Sequence, residues 1–303
     1  MRVKNKAFFY IIFLFVLSLL LFSCVSQDAI RAEEYFAIGM AYYDLGNYAE
    51  AERWLIRAAA SDRTMLASEY NLGRIAFETL RYEDAAVYFE GILRRDPDNL
   101  MALRAAAYSR IRNGDFLIAE MHYEHILSLV SESIDDGFNY SLVLYSVGKY
   151  SECEAVLKSY PEALETNPFA ILLLARAERA QNKVDAVNSF ERWLALTDNP
   201  SAQGLYEYAS ALEAAGFFAR AIEVYNDALD SLIQDTSTLS RAEIRFSLAR
   251  LLLIADAQNP LGLTEMQMAL GEGYDNSTAL EDLLSDERIS IEHREEIRRI
   301  ISQ

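Results

Sequence analysis

Hydrophobic and polar positions fall into three patterns along this chain. Residues Ala7 to Phe22 form a run of 16 positions without a charge. From Ala32 to about residue 235, small, aromatic and glycine positions return every 34 residues. In the tail, Ile297, Ile300 and Ile301 recur at helical spacing within a charged surround, the pattern of a helix with one wet face.

The middle pattern is the most informative. Windows that begin at Ala32, Leu66, Leu100, Ile134, Pro168 and Ala202 align without a gap. Their eighth slot is always small: Gly39, Gly73, Ala107, Ser141, Ala175 and Ala209. The fifteenth holds Gly46, Leu80, Gly114, Gly148, Asn182 and Gly216, and the seventeenth Tyr48, Tyr82, Phe116, Tyr150, Val184 and Phe218. The twentieth is Ala51, Ala85, Ala119, Cys153, Val187 and Ala221. Glycine or asparagine at slot 15 suits a left-handed residue that ends one helix. Small side chains at slots 8 and 20 let two antiparallel helices approach closely, and an aromatic at slot 17 can cover the turn between them. Pro97 in "RRDPDN" stops the second helix. Each window therefore predicts a helix-turn-helix hairpin that buries too little alone and must stack on its neighbours.

Composition agrees. Five prolines and twelve glycines are too few for a protein built on β-hairpins. Beyond Asp235 the register fades, yet "RAEIRFSLARLLLIADAQNP" predicts a helix ending before Pro260 and "LTEMQMALGEGY" its partner, closing at Gly271 and Gly273. The tail from Ser290 to Gln303 predicts a terminal cap.

"AIGMAYYDLGNYAEAERWLIRA", residues 37–58, resembles the tetratricopeptide repeat, TPR, which carries a small residue, a glycine, an aromatic and an alanine at these offsets. The resemblance implies an all-α fold, a TPR superhelix or α-solenoid, with six repeats over 32–235 and a degenerate seventh repeat plus capping helix over 236–303. It is weakest in the fifth repeat, where Asn182, Val184 and Val187 depart from it, Glu178 falls on a slot that faces the partner helix, and the hairpin is expected to shift by a residue.

The resemblance also implies a concave groove lined by the first helix of each hairpin, where slots 5, 9 and 12 share one face. Those slots carry Phe36, Tyr43, Tyr70, Arg74, Phe77, Arg104, Tyr108, Phe138, Tyr145, Arg176, Arg179 and Tyr206. Tyrosine and arginine supply binding hot spots, through rigid contact area and bidentate pairing to carboxylates. The carboxylate clamp of chaperone-binding TPR domains is not reproduced: Asn71 and Asn139 fall on slot 6, but the paired lysines are missing.

At the N-terminus, Arg2, Lys4 and Lys6 precede the apolar run, and Ser23 and Cys24 follow it, which describes a secretory signal over residues 1–23. A spanning helix needs about 20 apolar residues. Leu21-Phe22-Ser23-Cys24 resembles the bacterial lipobox, whose family chemistry attaches diacylglycerol to the thiol and cleaves before it; Phe22 departs from the small residue usual there. The resemblance implies a lipid (palmitate-type) anchor on Cys24, a short tether over 24–31, and no other cofactor. An uncleaved anchor and an ordinary secreted protein are the alternatives. With Cys24 acylated, Cys153 has no partner for a disulfide.

The chain has a formal net charge of −18, and losing residues 1–23 would remove three basic residues and no acid. Nucleic acid and anionic headgroups are disfavoured partners for such a surface. Enzymatic motifs are absent. In "EMHYEH", His122 and His125 lie three apart beside Glu120 and Glu124, but His293 is remote, so partly exposed surface histidines are expected instead of a metal site. Cys153, on the small slot 20, predicts a packed and inert thiol, and acidic runs such as "EDLLSDE" read as solvated helix faces.

Together these features predict a non-enzymatic scaffold anchored by lipid in the bacterial envelope. Its repeats would lie in the periplasm, on the outer membrane in preference to the inner because Val25 follows the cysteine. It would bind a protein or peptide partner through the groove. The alternative is an accessory lipoprotein of a solute transport system, which pairs with a solute-binding protein or encloses an apolar ligand as a homo-oligomer.

Overall fold

In the computed structural model, residues 27–232, 239–255 and 260–302 are described. The signal segment and Cys24 lie outside them. Among the described residues the chain forms seventeen helices and no strand. Six hairpins come first: α1 Gln27–Asp44 and α2 Tyr48–Ser61; α3 Leu66–Glu78 and α4 Tyr82–Leu93; α5 Leu100–Asn113 and α6 Phe116–Leu129; α7 Ile134–Ser146 and α8 Tyr150–Lys158, with a short α9 Pro161–Thr166; α10 Pro168–Ala180 and α11 Asp185–Ala195; α12 Ala202–Ala214 and α13 Phe218–Ser231. A seventh hairpin, α14 Arg241–Ala255 and α15 Leu261–Gly271, is followed by α16 Ser277–Ser285 and α17 Ile291–Ile301. The chain divides into two compact units, Met1–Asp136 and Gly137–Gln303.

The window starts at Leu66, Leu100, Ile134, Pro168 and Ala202 are the first residues of α3, α5, α7, α10 and α12. The first hairpin differs: α1 begins at Gln27, five residues before Ala32, so residues 27–31 of the expected tether are helical, with Asp28 in the first turn and Arg31 beside it. The second helices begin on slot 17, except that α11 starts at Asp185, one residue after Val184, as the weak fifth repeat suggested.

Slot 15 explains the turns. All six of its residues have positive φ: Gly46 71°, Leu80 62°, Gly114 88°, Gly148 79°, Asn182 55° and Gly216 82°. Leu80 occupies this conformation against its sterics and is 70% exposed, so its side chain returns little burial energy. A left-handed residue with a Cβ costs about 1–2 kcal/mol, partly offset by the larger unfolded-state entropy of glycine. Leu80→Gly should therefore stabilise the N-terminal unit by about 0.5–1 kcal/mol, read as a rise in the urea midpoint at constant m-value.

Slots 8 and 20 are where helices touch. Ala51, Ala85, Ala119, Cys153 and Ala221 have no exposed surface. A Cβ on Gly39 would lie 2.8 Å from Leu55 Cγ, and one on Gly73 would lie 2.7 Å from the Phe89 ring. The C-terminal helices share their own core, in which Phe246, Leu253, Met266, Leu280, Leu283, Ile289 and Ile297 meet. Leu283 corrects the reading of "EDLLSDE" as a solvated face: Glu281, Asp282 and Glu287 are exposed, Asp286 is half-buried, and Leu283 anchors α16. The cap is accordingly two helices, and Ser290 caps the second by accepting from the His293 backbone N–H at 3.1 Å.

Candidate functional site

The inner-stripe residues are best described hairpin by hairpin, because their first obligation is to packing. In the first, second and fourth hairpins slot 12 meets slot 17 across the turn with tilted or edge-on rings: Tyr43 on Tyr48 at 5.5 Å, Phe77 on Tyr82 at 5.2 Å and Tyr145 on Tyr150 at 5.2 Å between ring centroids. Slot 5 meets the second helix in the same way, Tyr70 on Phe89 at 5.3 Å and Tyr206 on Tyr225 at 5.6 Å. Each such ring gives one side to its own hairpin. In these three hairpins the slot-17 aromatic pins the two helices together through slot 12. Phe36 packs against the core formed by Ala51, Leu55, Leu72 and Ile75, and Phe138 is half-buried.

In the N-terminal unit, rings join across repeats. Phe77 stacks on Tyr108 at 5.2 Å with planes 29° apart, and Tyr108 stays 47% exposed. Arg112, which slot logic did not single out, lies over the Tyr82 ring at 4.8 Å and donates to Tyr82 OH at 2.6 Å.

The arginines expected to await a partner are already engaged. Arg74 sits over the Tyr43 ring at 4.6 Å, donates to Tyr43 OH at 2.9 Å and to Asn71 Oδ1 at 3.0 Å. Arg104 grips Asp136, its Nε donating to the two carboxylate oxygens at 3.0 and 3.1 Å and its Nη2 at 2.6 Å. Burial works to raise the Asp136 pKa, but the hydrogen bonds from Arg104 and Ser133 outweigh it and hold the carboxyl below its ordinary value. Arg176 Nε donates to Glu207 at 2.6 Å. Only Arg179, of the arginines on slots 5, 9 and 12, makes none of these described bonds: its Nε is buried without a hydrogen-bond partner.

Two cavities among the described residues of the C-terminal unit bear on function. One, of about 620 Å³, is walled by Tyr206, Ser247, Phe246, Arg250, Glu243, Tyr274 and Asn276. Within it Tyr206 OH meets Ser247 Oγ at 3.1 Å, and Arg250 is held by Glu213 at 2.6 Å. Burial, together with the fields of Tyr206 and Glu243, pushes the Tyr274 phenol up to about 12. The other, of about 140 Å³, lies where the α10–α11 turn meets α12, lined by Arg179, Asn182, Lys183 and Ser210 among others.

The remaining candidates take structural roles. His122 Nε2 lies 3.5 Å from Glu90 and His125 Nε2 lies 2.9 Å from Asp98, so the two rings serve different carboxylates. Burial lowers the His122 pKa against the pull of Glu90. Cys153 is fully buried, and burial pushes its thiol up to about 12, which leaves it protonated and unreactive at neutral pH. Glu178, 2% exposed, accepts from Ser189 Oγ at 2.6 Å and pairs with Lys158 at 3.1 Å, which is how a carboxylate is tolerated between helices.

Residues 36–99 and 70–123 match the model of the tetratricopeptide repeat family. The C-terminal part of a TPR repeat-containing protein from Cytophaga hutchinsonii superposes with a TM-score of 0.63 at 14% identity, covering 81% of this chain and 98% of that one. YrrB, described as a TPR protein with an unusual peptide-binding site, superposes with a TM-score of 0.52 at 15% identity over 59% of this chain and 93% of its own. The left-handed slot 15, the close-packed slots 8 and 20 and these likenesses define an all-α solenoid of hairpins similar to tetratricopeptide repeats. The chain is also similar to an uncharacterized lipoprotein of Treponema pallidum, 25% identical over 138 residues, which are 46% of this chain and 70% of that protein. Among the described residues no helix is long and apolar enough to cross a membrane.

Proposed function

We propose that this chain is a non-catalytic scaffold, held by a lipid on Cys24 at a bacterial envelope membrane with its repeats on the periplasmic side, and that it grips a protein or peptide partner. The observation that carries the binding role is the Phe77–Tyr108 pair: a stacked aromatic platform on the inner stripe of a TPR hairpin stack, with Tyr108 47% exposed. A rigid tyrosine with one face packed and the other in water is a preformed contact of low entropic cost. The anchor is supported by the basic, apolar and lipobox-like order of residues 1–24 and by the likeness to a lipoprotein. An outer-membrane address belongs to the same reading, and self-association to the second one below.

A photo-crosslinking residue in place of Tyr108 in native membranes, followed by mass spectrometry, tests the scaffold. A defined polypeptide adduct is expected. Its absence from a folded, membrane-bound variant rejects the binding role. For the anchor, Cys24→Ala should abolish fatty-acid labelling and detergent-phase partitioning, and label that persists rules the lipid assignment out.

The 620 Å³ cavity supports a second reading, a transport accessory that holds a small ligand. Its serine, arginine, glutamate and asparagine walls suit a polar ligand better than the apolar one the sequence suggested. Co-purification of a small polar molecule instead of a polypeptide would favour it.

A further inference from the structure

Every later hairpin has a predecessor to lie against, and the first has none. In the second, third, fifth and sixth repeats the first helix packs on the hairpin before it: α3 on α2, α5 on α4, α10 on α8 and α12 on α11. The slots on that side are closed. At slot 7, Leu72, Ala106, Leu174 and Tyr208 are 3% exposed or less, and at slot 10, Ile75, Ser109, Ala177 and Ala211 are buried. In the first repeat Ile38 on slot 7 is 37% exposed, and Ala41 on slot 10 is exposed as well. Among the described residues no helix precedes α1.

A solenoid that ends in water needs a polar outer face, and this end does not have one. Slot 14 holds Thr79, Asn113 and Gln181 in the second, third and fifth repeats but Leu45, 79% exposed, in the first. With Ile30 at the start of the helix, Ile38, Ala41 and Leu45 form an apolar strip along one face of α1. Tyr35, one turn before Ile38, borders the strip and meets Trp54 of α2 at 5.6 Å between ring centroids, while Arg57 lies over the Trp54 ring at 4.6 Å. Both rings are half-buried. Around them Arg31 pairs with Asp28 at 3.6 Å and Arg53 with Glu50 at 2.8 Å, so the charges at this end balance locally in a chain of net charge −18.

Tryptophan, tyrosine and arginine around an aliphatic strip are the residue types that settle at the headgroup level of a bilayer, rings toward the acyl boundary and charge toward water. The position in the chain points the same way. Only Val25 and Ser26 separate Cys24 from Gln27, the first residue of α1. Three backbone steps reach about 11 Å at most, so a lipid on Cys24 keeps the start of α1 at the membrane surface. A zwitterionic bilayer offers an acidic chain no net repulsion, whereas a second copy brings the same −18.

We propose that the open face of the first hairpin is a membrane-docking surface, on which Ile30, Ile38, Ala41, Leu45 and Trp54 rest in the headgroup boundary of a zwitterionic bilayer. The inference rests on the lipid-anchor reading and goes beyond it, because the anchor limits how far α1 can stray while this face fixes how the hairpin lies.

The test uses the full-length chain, purified from membranes in detergent and reconstituted into phosphatidylcholine vesicles with or without bromine on the acyl chains near the headgroup. The chain has two tryptophans, and Trp193 is 3% exposed, so Trp54→Phe supplies the background. Emission assigned to Trp54 by that difference should fall about twofold in brominated vesicles. Ile38→Glu, a change at a partly exposed position, should restore at least about half of the lost emission by placing a charge on the docking face. Its helicity, melting temperature and flotation with vesicles should stay as in wild type. Ile38→Cys in an otherwise wild-type chain reports whether a second copy covers the face, and disulfide-linked pairs are not expected. The proposal is overturned if a chain that floats with the vesicles keeps its Trp54 emission in brominated lipid, if folded Ile38→Glu is quenched like wild type, or if Ile38→Cys chains couple to one another. A chain that fails to float loses the anchor and this proposal together, whereas one that floats unquenched loses this proposal alone.

Discussion

Arg110→Ala should cost the N-terminal unit about 1.5–3 kcal/mol, from the loss of charge-assisted hydrogen bonds and the half-buried Glu90 left without its counter-charge. Arg110 is 7% exposed and lies among three carboxylates: Glu83 at 2.6 Å, Glu90 at 2.8 Å and Asp115 at 3.0 Å. It ties the second hairpin to the third, since Glu83 and Glu90 stand on α4, Arg110 on α5 and Asp115 in the turn beyond. Removing the guanidinium leaves the carboxylates facing one another. For Glu90, burial raises the pKa, but the bonds from Arg110 and His122 outweigh it and the net shift is downward; for Asp115 the bonds from Asn113 and Arg110 lower it. A depressed folded pKa stabilises above the unfolded value and loses that stabilisation as pH falls through the folded one. The wild type should therefore lose stability below about pH 4.5, whereas the variant, relieved of repulsion by protonation, should lose less, and the gap between the two should narrow. His122 gives an independent readout. Arg110 helps depress its pKa while Glu90 raises it, so the His122 titration should move upward in the variant. A melting temperature within a degree or so of wild type at neutral pH would show that this cluster is solvated in a way its geometry does not indicate.

Arg110 also marks the limit of what the repeat pattern discloses. Backbone geometry was legible because it depends on residues a few positions apart. A glycine or asparagine at slot 15 announces a left-handed turn, and the start of nearly every helix follows from it. Even Leu80, a poor residue for that conformation, adopts it at the same slot. Side-chain partners are different. Arg104 finds Asp136 across 32 residues and Arg81 finds Glu52 across 29, and no spacing rule separates those pairs from the many arginine and acid combinations in an acidic chain. Helical spacing groups the inner-stripe residues by face, yet which of its arginines are paired depends on acids supplied by the neighbouring hairpin. Tyr206 belongs to the stripe by register, and the 620 Å³ cavity it lines is closed by α14 and the residues leading into α16, where the register had already faded.

The fourth hairpin supplies the second large effect, because there the pattern itself is broken. Slot 4 holds Leu103, Ile171 and Leu205 in the third, fifth and sixth repeats, all buried, but Gly137 in the fourth. In the same repeat the second helix, α8, has only nine residues and ends at Lys158, and Pro161 starts α9 where the other repeats continue one helix. The two departures are one event. Tyr160, at the break, lays its ring over Gly137, so that a Cβ built there would lie 2.2 Å from the ring. The tyrosine fills the space left by the missing leucine-type side chain, and the proline places it. Gly137→Leu, which supplies the aliphatic side chain that the third, fifth and sixth repeats carry at slot 4, should therefore destabilise the C-terminal unit by about 1–3 kcal/mol or more through overpacking, despite the better helix propensity of leucine. Tyr160→Ala alone should also destabilise it, by opening a cavity. The double variant should recover much of the loss, since leucine then occupies the space the ring vacates, and the two changes should couple by at least about 1 kcal/mol in a double-mutant cycle. Strict additivity would mean that Tyr160 and Gly137 do not share that space, and the break in the fourth repeat would need another cause.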